Sequence, residues 1–313
     1  MLQAPEVSVV VAAYNHEKYI RTLLESILNQ TFKDFELIVI DDGSTDSTAD
    51  IIEDVAKQYP EKIRFVRQQN RGFARAINTA FKMCKGKYIA PVGSDDIWLP
   101  NKLQEQIEKF NEDPEFSLVY ADINVMNEDG KILYRFNRFV KPYWGQITDS
   151  LLVANFISGI VPMYKKDLFE KYGYWDEKYA IACDYEFSLR VSPYIKVGYI
   201  SKVLALYRTH KHNSSTLSVE KTIFENLSVL EIFLASHPKL IKKTTVLRAY
   251  SNLYLRFTKA YIVKRDWKNT IKNGITTCYY HLLLLQAYTA FIFVLPGRSY
   301  CNFKRIIKKR FVG

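Results

Sequence analysis

The first 100 residues alternate short apolar runs with amphipathic stretches, and this alternation constrains the fold more than any other feature of the chain. The apolar runs are rich in β-branched residues and lie at 7–11, 35–40, 63–66 and 88–92. Between them, apolar residues recur at helical spacing over 17–29, 45–59 and 72–84. Strands that alternate with helices predict βαβ units. We therefore expect an α/β fold with a Rossmann-like, mostly parallel sheet flanked by helices.

Polar segments follow three of these strands at the point where each strand ends. They are Ala12-Ala13-Tyr14-Asn15, Asp41-Asp42-Gly43-Ser44 and Gly93-Ser94-Asp95-Asp96. Ligands bind at strand ends in such sheets, because the loops there border a crevice and helix N-termini point their amides into it. The three segments are therefore expected to converge on one binding site.

Asp95 and Asp96 are adjacent carboxylates, and like charges this close raise each other's pKa unless a cation offsets the repulsion. A divalent cation, Mn²⁺ or Mg²⁺, could do so and could also bind the phosphates of a nucleotide. The alternative is a solvated turn that caps the following helix near Leu99. Asp41 and Asp42 allow the same two interpretations. The sequence has no GxGxxG or GxxxxGKS/T segment, so dehydrogenases and P-loop enzymes are disfavoured.

Charge is distributed unevenly along the chain, whose formal net charge is +11. Residues 1–238 carry 28 Lys and Arg against 32 Asp and Glu, whereas residues 239–313 carry 16 against one, Asp266. The part that bears the polar strand ends is thus slightly acidic, which argues against a nucleic-acid-binding protein. The basic C-terminal part suits an anionic membrane surface.

Cysteine spacing and the N-terminal residues indicate the cellular compartment in which the protein works. The four cysteines show no CxxC pair and no metal-ligand spacing, so neither a disulfide framework nor a zinc site is predicted. Residues 1–6 lead into the first strand without the features of a secretory signal. We expect a cytoplasmic protein at the inner face of the cell membrane.

Sequence patterns divide the chain into an α/β domain, 1–216, and a basic helical segment, 217–313. In the second half of the α/β domain, 101–216, we predict a strand at 155–164, a loop at 140–152, and one or two short strands within 197–207. Residues 274–297 contain no Asp, Glu, Lys or Arg. They could pack on the α/β domain, lie in the membrane interface or span the membrane.

Five segments occur in the order seen in family 2 glycosyltransferases of the GT-A fold, of the bacterial surface-polysaccharide type. They are VSVVVAAYN at 7–15, LIVIDDGSTD at 37–46, NRGFAR at 70–75, SDD at 94–96 and CDYE at 183–186. Arg208, His210 and Asn213 also resemble the family pattern. The resemblance covers residues 5–215 and leaves the helical segment outside it. It implies that residues 1–216 form a catalytic domain with a nucleotide-sugar half to about residue 100 and an acceptor half over 101–216.

The resemblance implies roles for the matching residues. The nucleotide-sugar donor would be bound by Ala12, Ala13, Tyr14, Asp41 or Asp42, Arg75 and Asp95. Asp96 and His210 would hold the divalent cation, Mn²⁺ or Mg²⁺. Asp184 matches the general base that acts on the acceptor. Ala13 departs from the Ser or Thr that is usual there, which leaves only backbone contact to the base.

Structural alternatives exist for three of these residues. Arg75 could pair with a surface carboxylate, Asp184 could be a helix N-cap, and His210 could be a structural or solvent-exposed imidazole.

The implied activity is inverting transfer of a sugar from a nucleotide-diphosphate donor, expected to be a UDP-sugar, to a hydroxyl of a saccharide or lipid-linked acceptor. Such a reaction would serve polysaccharide synthesis, such as O-antigen or capsule. One alternative is a nucleotidyltransferase, although the first strand lacks the Gly- and Lys/Arg-rich loop that this class needs. Another is a catalytically inactive scaffold at the membrane.

Overall fold

The computed structural model describes residues 4–211, 213 and 219–289. The chain divides into two compact units. The first comprises Met1–Thr148 and Asn155–Leu217, and the second comprises Asp149–Ala154 and Ser218–Gly313. A short segment from the middle of the chain thus belongs with the C-terminal helices, which the sequence pattern does not predict.

The N-terminal half of the first unit consists of βαβ units. Its strands are β1 (Val7–Ala13), β2 (Phe35–Asp41), β3 (Ile63–Arg67) and β4 (Tyr88–Gly93), and the helices between them are α1 (Ile20–Leu28), α2 (Thr48–Gln58) and α3 (Phe73–Met83). The strands are all parallel in the order β3-β2-β1-β4. Every residue of β1 and β2 is buried, as expected for strands covered by helices on both faces.

The same sheet continues through the acceptor half, where its character changes. The elements there are β5 (Ile97–Trp98), α4 (Lys102–Glu112), β6 (Phe116–Met126), β7 (Ile132–Arg135), β8 (Met163–Lys165), α6 (Asp167–Tyr172), α7 (Cys183–Val191) and β9 (Lys196–Arg208). Here β8 is antiparallel to both β4 and β6. Strand β9 is parallel to β6 and antiparallel to β5. Strand β7 pairs with β6 alone. The prediction of an α/β fold with a mostly parallel sheet is confirmed, because the long β6–β9 pairing is also parallel and the antiparallel pairings are short.

Three local predictions in the acceptor half are wrong. Only Met163 and Tyr164 of the predicted strand at 155–164 are extended, as part of β8, because turns at Asn155 and Ser158 shape the preceding residues. The predicted loop at 140–152 contains most of α5 (Thr148–Val153), which buries Leu151 and Leu152. The short strands expected within 197–207 form a single strand of 13 residues, β9, paired along β6.

The strand register aligns the three polar segments at one edge of the sheet. Ala13 of β1 is level with Asp41 of β2, and Ala12 is level with Gly93 of β4. Because these strands are parallel, their carboxyl ends point the same way. The loops that follow them therefore start side by side.

The second unit contains three long helices in its described part: α8 (Val219–Ser236), α9 (Lys243–Val263) and α10 (Trp267–Thr289). The rings of Tyr250 and Tyr280 stack at 5.0 Å between α9 and α10, and Ser251 Oγ lies 2.9 Å from His281 Nδ1. Of the uncharged stretch 274–297, residues 290–297 lie outside the described part. Among the described residues, no helix combines the length and apolar character needed to cross a membrane.

A lysine lies in the core of the first unit at the start of α4. Lys102 is fully buried, with Nζ 3.7 Å from the centroid of the Trp98 ring. Its ammonium donates a hydrogen bond to Gln106 Oε1 at 2.7 Å. Burial lowers the pKa of Lys102 well below its usual value, because desolvation disfavours the charged form.

Replacement of this lysine should change how stability depends on pH. An unfolded Lys102 is protonated up to about pH 10.4, whereas the folded one loses its proton at lower pH. The stability of the native chain should therefore rise with pH between these two pKa values, and Lys102→Met should lose this contribution. Urea midpoints of both chains at pH 7 and 9, followed by circular dichroism, test this. An equal change of the urea midpoint between pH 7 and pH 9 in both chains would contradict it.

Candidate functional site

The ends of β4 and β9 meet through Asp96 and Arg208. The backbone N–H of Arg208 donates to Asp96 Oδ1 at 2.9 Å, and Arg208 Nε donates to the carbonyl of Asp95 at 2.9 Å. Asp96 is buried, and both desolvation and the charge of Asp95 raise its pKa well above the usual value. The alternative that these aspartates cap the next helix does not hold, since Asn101 is the N-cap of α4.

Gly93 gives both carboxylates room. A Cβ built at this position would lie 2.7 Å from Asp96 Oδ2 and 3.0 Å from Asp95 Oδ1. Any side chain at residue 93 would therefore displace one carboxylate. The two aspartates fold back over the last residue of β4 because that residue is glycine.

Asp95 is held by the segment that follows β9. Its Oδ2 lies 2.9 Å from His210 Nε2 and accepts a hydrogen bond from Asn213 Nδ2 at 3.1 Å. The side chain of Asn213 in turn accepts from the backbone N–H of His210. His210 is buried, so its ring is part of the site and is not a solvent-exposed imidazole.

A second histidine, His16, completes this cluster. Its Nδ1 lies 2.6 Å from Ser94 Oγ, and its ring centroid lies 5.8 Å from that of His210. One potential ligand atom from each of His16, Asp95 and His210 lies within 4.8 Å of the others. Two imidazole nitrogens and a carboxylate oxygen are a donor set that suits a divalent transition metal. We call these three residues the His-Asp-His cluster.

The loop after β2 is shaped by its own carboxylates. Asp42 Oδ1 accepts hydrogen bonds from Gln68 Nε2 at 2.7 Å and from the backbone N–H of Arg71 at 2.9 Å. Asp42 Oδ2 accepts from the N–H of Gly72 at 2.8 Å. Asp41 is fully buried, accepts from the N–H of Ser44 at 3.1 Å and lies 3.4 Å from Arg67 Nε.

The loop after β1 links the other two polar segments. Ala12 and Ala13 are buried, and the carbonyl of Ala13 accepts from the N–H of Asp42 at 2.8 Å. Asn15 donates its N–H to Ser44 Oγ at 3.0 Å. Tyr14 is exposed. With the contact between His16 and Ser94 described above, the three strand-end segments form one connected site, as the sequence predicts.

Arg75 is placed in an ion pair at the surface. Its Nε lies 2.8 Å from Glu177 Oε2, and Asn78 Nδ2 donates to the other oxygen of Glu177 at 3.2 Å. The guanidinium is half exposed, and exposed pairs contribute little to stability. This is the surface pairing that the sequence leaves open as an alternative for Arg75.

Asp184 is the second residue of α7 and is partly exposed. Its Oδ1 accepts the N–H of Tyr185 at 2.7 Å, and a Cβ on Gly159 would overlap its Oδ2. Desolvation by the surrounding protein raises the pKa of Asp184 to about 6. The helix-cap alternative does not hold, because the N-cap of α7 is Ala182.

Neither the role of His16 nor the constraints at Gly93 and Gly159 are predicted from the sequence. His16 directly follows Tyr14 and Asn15 in a strand-end loop, so its position carries a signal that the family pattern does not include. The two glycines have no such signal, because the close approach of Asp95, Asp96 and Asp184 appears only in the folded chain.

Comparison with known proteins agrees with this fold. The family model "Glycosyl transferase family 2" matches residues 8–196. Chondroitin synthase of Escherichia coli is 29% identical over 239 residues, which cover 74% of this chain and 34% of that protein. An uncharacterised glycosyltransferase of Methanocaldococcus jannaschii is 31% identical over 226 residues, covering 70% of this chain and 76% of that protein. The chain thus spans only about a third of chondroitin synthase.

Two solved structures share the fold. Staphylococcus aureus TarS (residues 1 to 349), in complex with UDP-GlcNAc, superposes with a TM-score of 0.59 at 19% identity and covers 86% of this chain and 90% of that one. The mannosyltransferase PcManGT of Pyrobaculum calidifontis, in complex with GDP-Man and Mn²⁺, has a TM-score of 0.56 at 17% identity. The match covers 98% of this chain and 81% of that one. Because the family model matches more than half of the chain, the protein belongs to glycosyl transferase family 2.

Proposed function

We propose that the chain is a divalent-cation-dependent inverting glycosyltransferase. It transfers a sugar from a nucleotide-diphosphate donor, a UDP-sugar, to a hydroxyl of a saccharide or lipid-linked acceptor in polysaccharide synthesis. The single observation that carries this proposal is the His-Asp-His cluster at the carboxyl edge of the sheet. The nucleotide-sugars in the related structures of TarS and PcManGT are consistent with such a donor.

We assign Asp95 to the cation together with His210 and His16, and we assign Asp96 a structural role. This departs from the family resemblance, which implies that Asp96 holds the cation and that Asp95 binds the donor. The reason is that Asp96 is engaged by the Arg208 amide at 2.9 Å, whereas Asp95 lies beside both imidazoles. A cation bound here would offset the negative charge that develops on the departing diphosphate. With nitrogen donors, Mn²⁺ fits better than Mg²⁺, which prefers oxygen ligands.

Asp184 is proposed to act as the general base. A carboxylate whose pKa is raised to about 6 is ionised at neutral pH and is a better proton acceptor than an ordinary aspartate. It would take the proton from the acceptor hydroxyl as that oxygen attacks the anomeric carbon opposite the diphosphate. Attack from that side inverts the configuration of the sugar. The absence of a side chain at Gly159 leaves room for this carboxylate.

The two alternative functions are a nucleotidyltransferase and an inactive scaffold, and different observations argue against each. Membership of glycosyl transferase family 2 argues against a nucleotidyltransferase. An inactive scaffold would keep the fold but would not need a carboxyl group with a raised pKa next to a closely packed glycine. Transfer from a nucleotide-sugar separates the scaffold from the enzyme.

Asp184→Asn should abolish transfer and preserve donor binding. Loss of a positioned general base lowers the rate by about 10²- to 10⁴-fold, while the isosteric amide leaves the nucleotide loops intact. Single-turnover transfer and calorimetric titration with UDP measure the two effects separately. The matched control is Glu170→Gln, which neutralises an exposed carboxylate on α6. Near-normal turnover of the Asn variant would remove Asp184 from the mechanism.

The pH dependence of transfer should report the same carboxyl group. Below about pH 6 Asp184 is protonated and cannot accept a proton, so kcat/KM should fall about tenfold per pH unit as the pH decreases. Above that pH the profile should be level until other groups titrate. The residual activity of Asp184→Asn should lack this acidic limb, whereas Glu170→Gln should keep it. A limb that persists in the Asn variant would assign it to another group.

Removal of Asp95 should weaken cation binding more than removal of Asp96. We expect Asp95→Asn and His210→Gln each to weaken Mn²⁺ binding by about tenfold or more in the presence of UDP, since each removes a direct ligand. Asp96→Asn should bind Mn²⁺ nearly as the native chain does, because its amide oxygen can still accept from Arg208. Electron paramagnetic resonance of free Mn²⁺ measures this without any assay of transfer. Loss of binding in the Asp96 variant alone would restore the opposite assignment.

A further inference from the structure

An exposed surface of the first unit is formed by residues 131–144, which we call the hairpin segment. It contains β7 and the residues up to Trp144. Ile132 and Leu133 are neighbours in β7 and face opposite sides of the strand, yet they are 53% and 52% exposed. Phe139 and Trp144 are 68% and 64% exposed. The segment thus presents large aliphatic and aromatic side chains to solvent on more than one side.

The charge of the hairpin segment has one sign. It contains Lys131, Arg135, Arg138 and Lys141, and no Asp or Glu. Arg135 is ion-paired with Asp122, whereas the other three form no ion pair within the part of the chain that the structure describes. The guanidinium of Arg138 lies 5.8 Å from the centroid of the Phe139 ring. Cationic and apolar groups are therefore adjacent on this surface.

Contacts with the sheet hold the segment in place. Arg135 also donates to the carbonyl of Ser201, and the side-chain amide of Asn137 bonds the hydroxyl of Tyr199. The indole of Trp144 stacks on the ring of Tyr199 at 6.1 Å. The exposed side chains are therefore presented by an anchored backbone.

The segment lies beside the candidate site. Glu128, in the turn that precedes β7, accepts a hydrogen bond from Arg208 Nη1 at its carbonyl (2.8 Å) and from the Tyr19 hydroxyl at its carboxylate (3.0 Å). Arg208 is the residue that ties β9 to Asp95 and Asp96. The start of the segment therefore lies near Arg208, whereas Trp144 lies against Tyr199, nearer the other end of β9.

We propose that the hairpin segment docks the catalytic unit on an anionic lipid bilayer. Apolar side chains with adjacent cations and no anions match an interface in which acyl chains lie below anionic head groups, and tryptophan is enriched at that depth. A saccharide platform would use aromatic faces with polar neighbours and would not require exposed Ile132 and Leu133. This inference goes beyond the proposed function, because it holds for any donor and acceptor.

Vesicle sedimentation of the full chain tests this docking. We expect the native chain to bind vesicles of phosphatidylcholine and phosphatidylglycerol at 3:1, and to bind pure phosphatidylcholine weakly. Arg138→Glu with Lys141→Glu should reduce partitioning onto the anionic vesicles by about tenfold or more, since each cation near such a surface contributes substantially. Phe139→Ser with Trp144→Ser should reduce it as well. The exposed aromatic Tyr194 supplies a control, because Tyr194→Ser should leave partitioning unchanged.

A second control concerns the basic C-terminal unit. Lys242→Glu with Lys243→Glu reverses two exposed charges there. If only this variant loses vesicle binding, or if the native chain does not bind anionic vesicles, the proposal is overturned. It is also overturned if Phe139→Ser with Trp144→Ser weakens binding of an acceptor saccharide and leaves vesicle binding unchanged. Unaltered Mn²⁺ and UDP binding shows that each variant is folded.

Tryptophan fluorescence gives a readout that does not depend on a destabilising variant. Trp98 and Trp175 are buried, whereas Trp144 and Trp267 are exposed. With brominated lipids in the anionic vesicles, we expect quenching that disappears in Trp144→Phe and persists in Trp267→Phe. Quenching that depends on Trp267 alone would place the contact in the other unit and contradict the proposal.

Discussion

The burial of two adjacent carboxylates at the end of β4 is the constraint on which the site depends. Asp95 and Asp96 would repel each other if neither had a partner. The backbone of Arg208 engages Asp96, and the imidazole of His210 lies beside Asp95. The last residues of β9 are therefore fixed against the end of β4, although more than 100 residues separate them in the chain. Glycine at position 93 is what makes this close approach possible.

This arrangement divides the work between the two halves of the sheet. The parallel half supplies the strand-end loops proposed to bind the nucleotide, and Asp42 and Asn15 tie these loops together by hydrogen bonds to the backbone of their neighbours. The mixed half supplies His210 from the segment after β9 and Asp184 from α7. His16 contacts Ser94, and Asn15 contacts Ser44. A displacement of one strand-end loop would therefore shift the other two. Donor and cation binding are therefore expected to stabilise the same set of loops.

The sequence predicts the parallel half well, because the hydrophobic pattern of each strand and helix there matches the residues that it buries. The apolar runs that become β1 and β2 are buried at every position, and the polar residues after them converge as expected. The acceptor half is less predictable, since β8 has only three residues and β9 owes its length to pairing along β6. Such pairing is a tertiary effect that a local pattern does not contain. The different roles proposed for Asp95 and Asp96 cannot be predicted from the sequence for the same reason. The two residues are adjacent and identical in type, and only their partners in the folded chain differ.

Anomalous scattering from crystals grown with Mn²⁺ and UDP tests most directly which aspartate holds the cation. Data collected on both sides of the manganese absorption edge locate the ion without reference to transfer activity. We expect one peak in ligand contact with Asp95 and His210, with Asp96 still bonded to the Arg208 amide. A peak coordinated by Asp96 and remote from both histidines would contradict the proposed site.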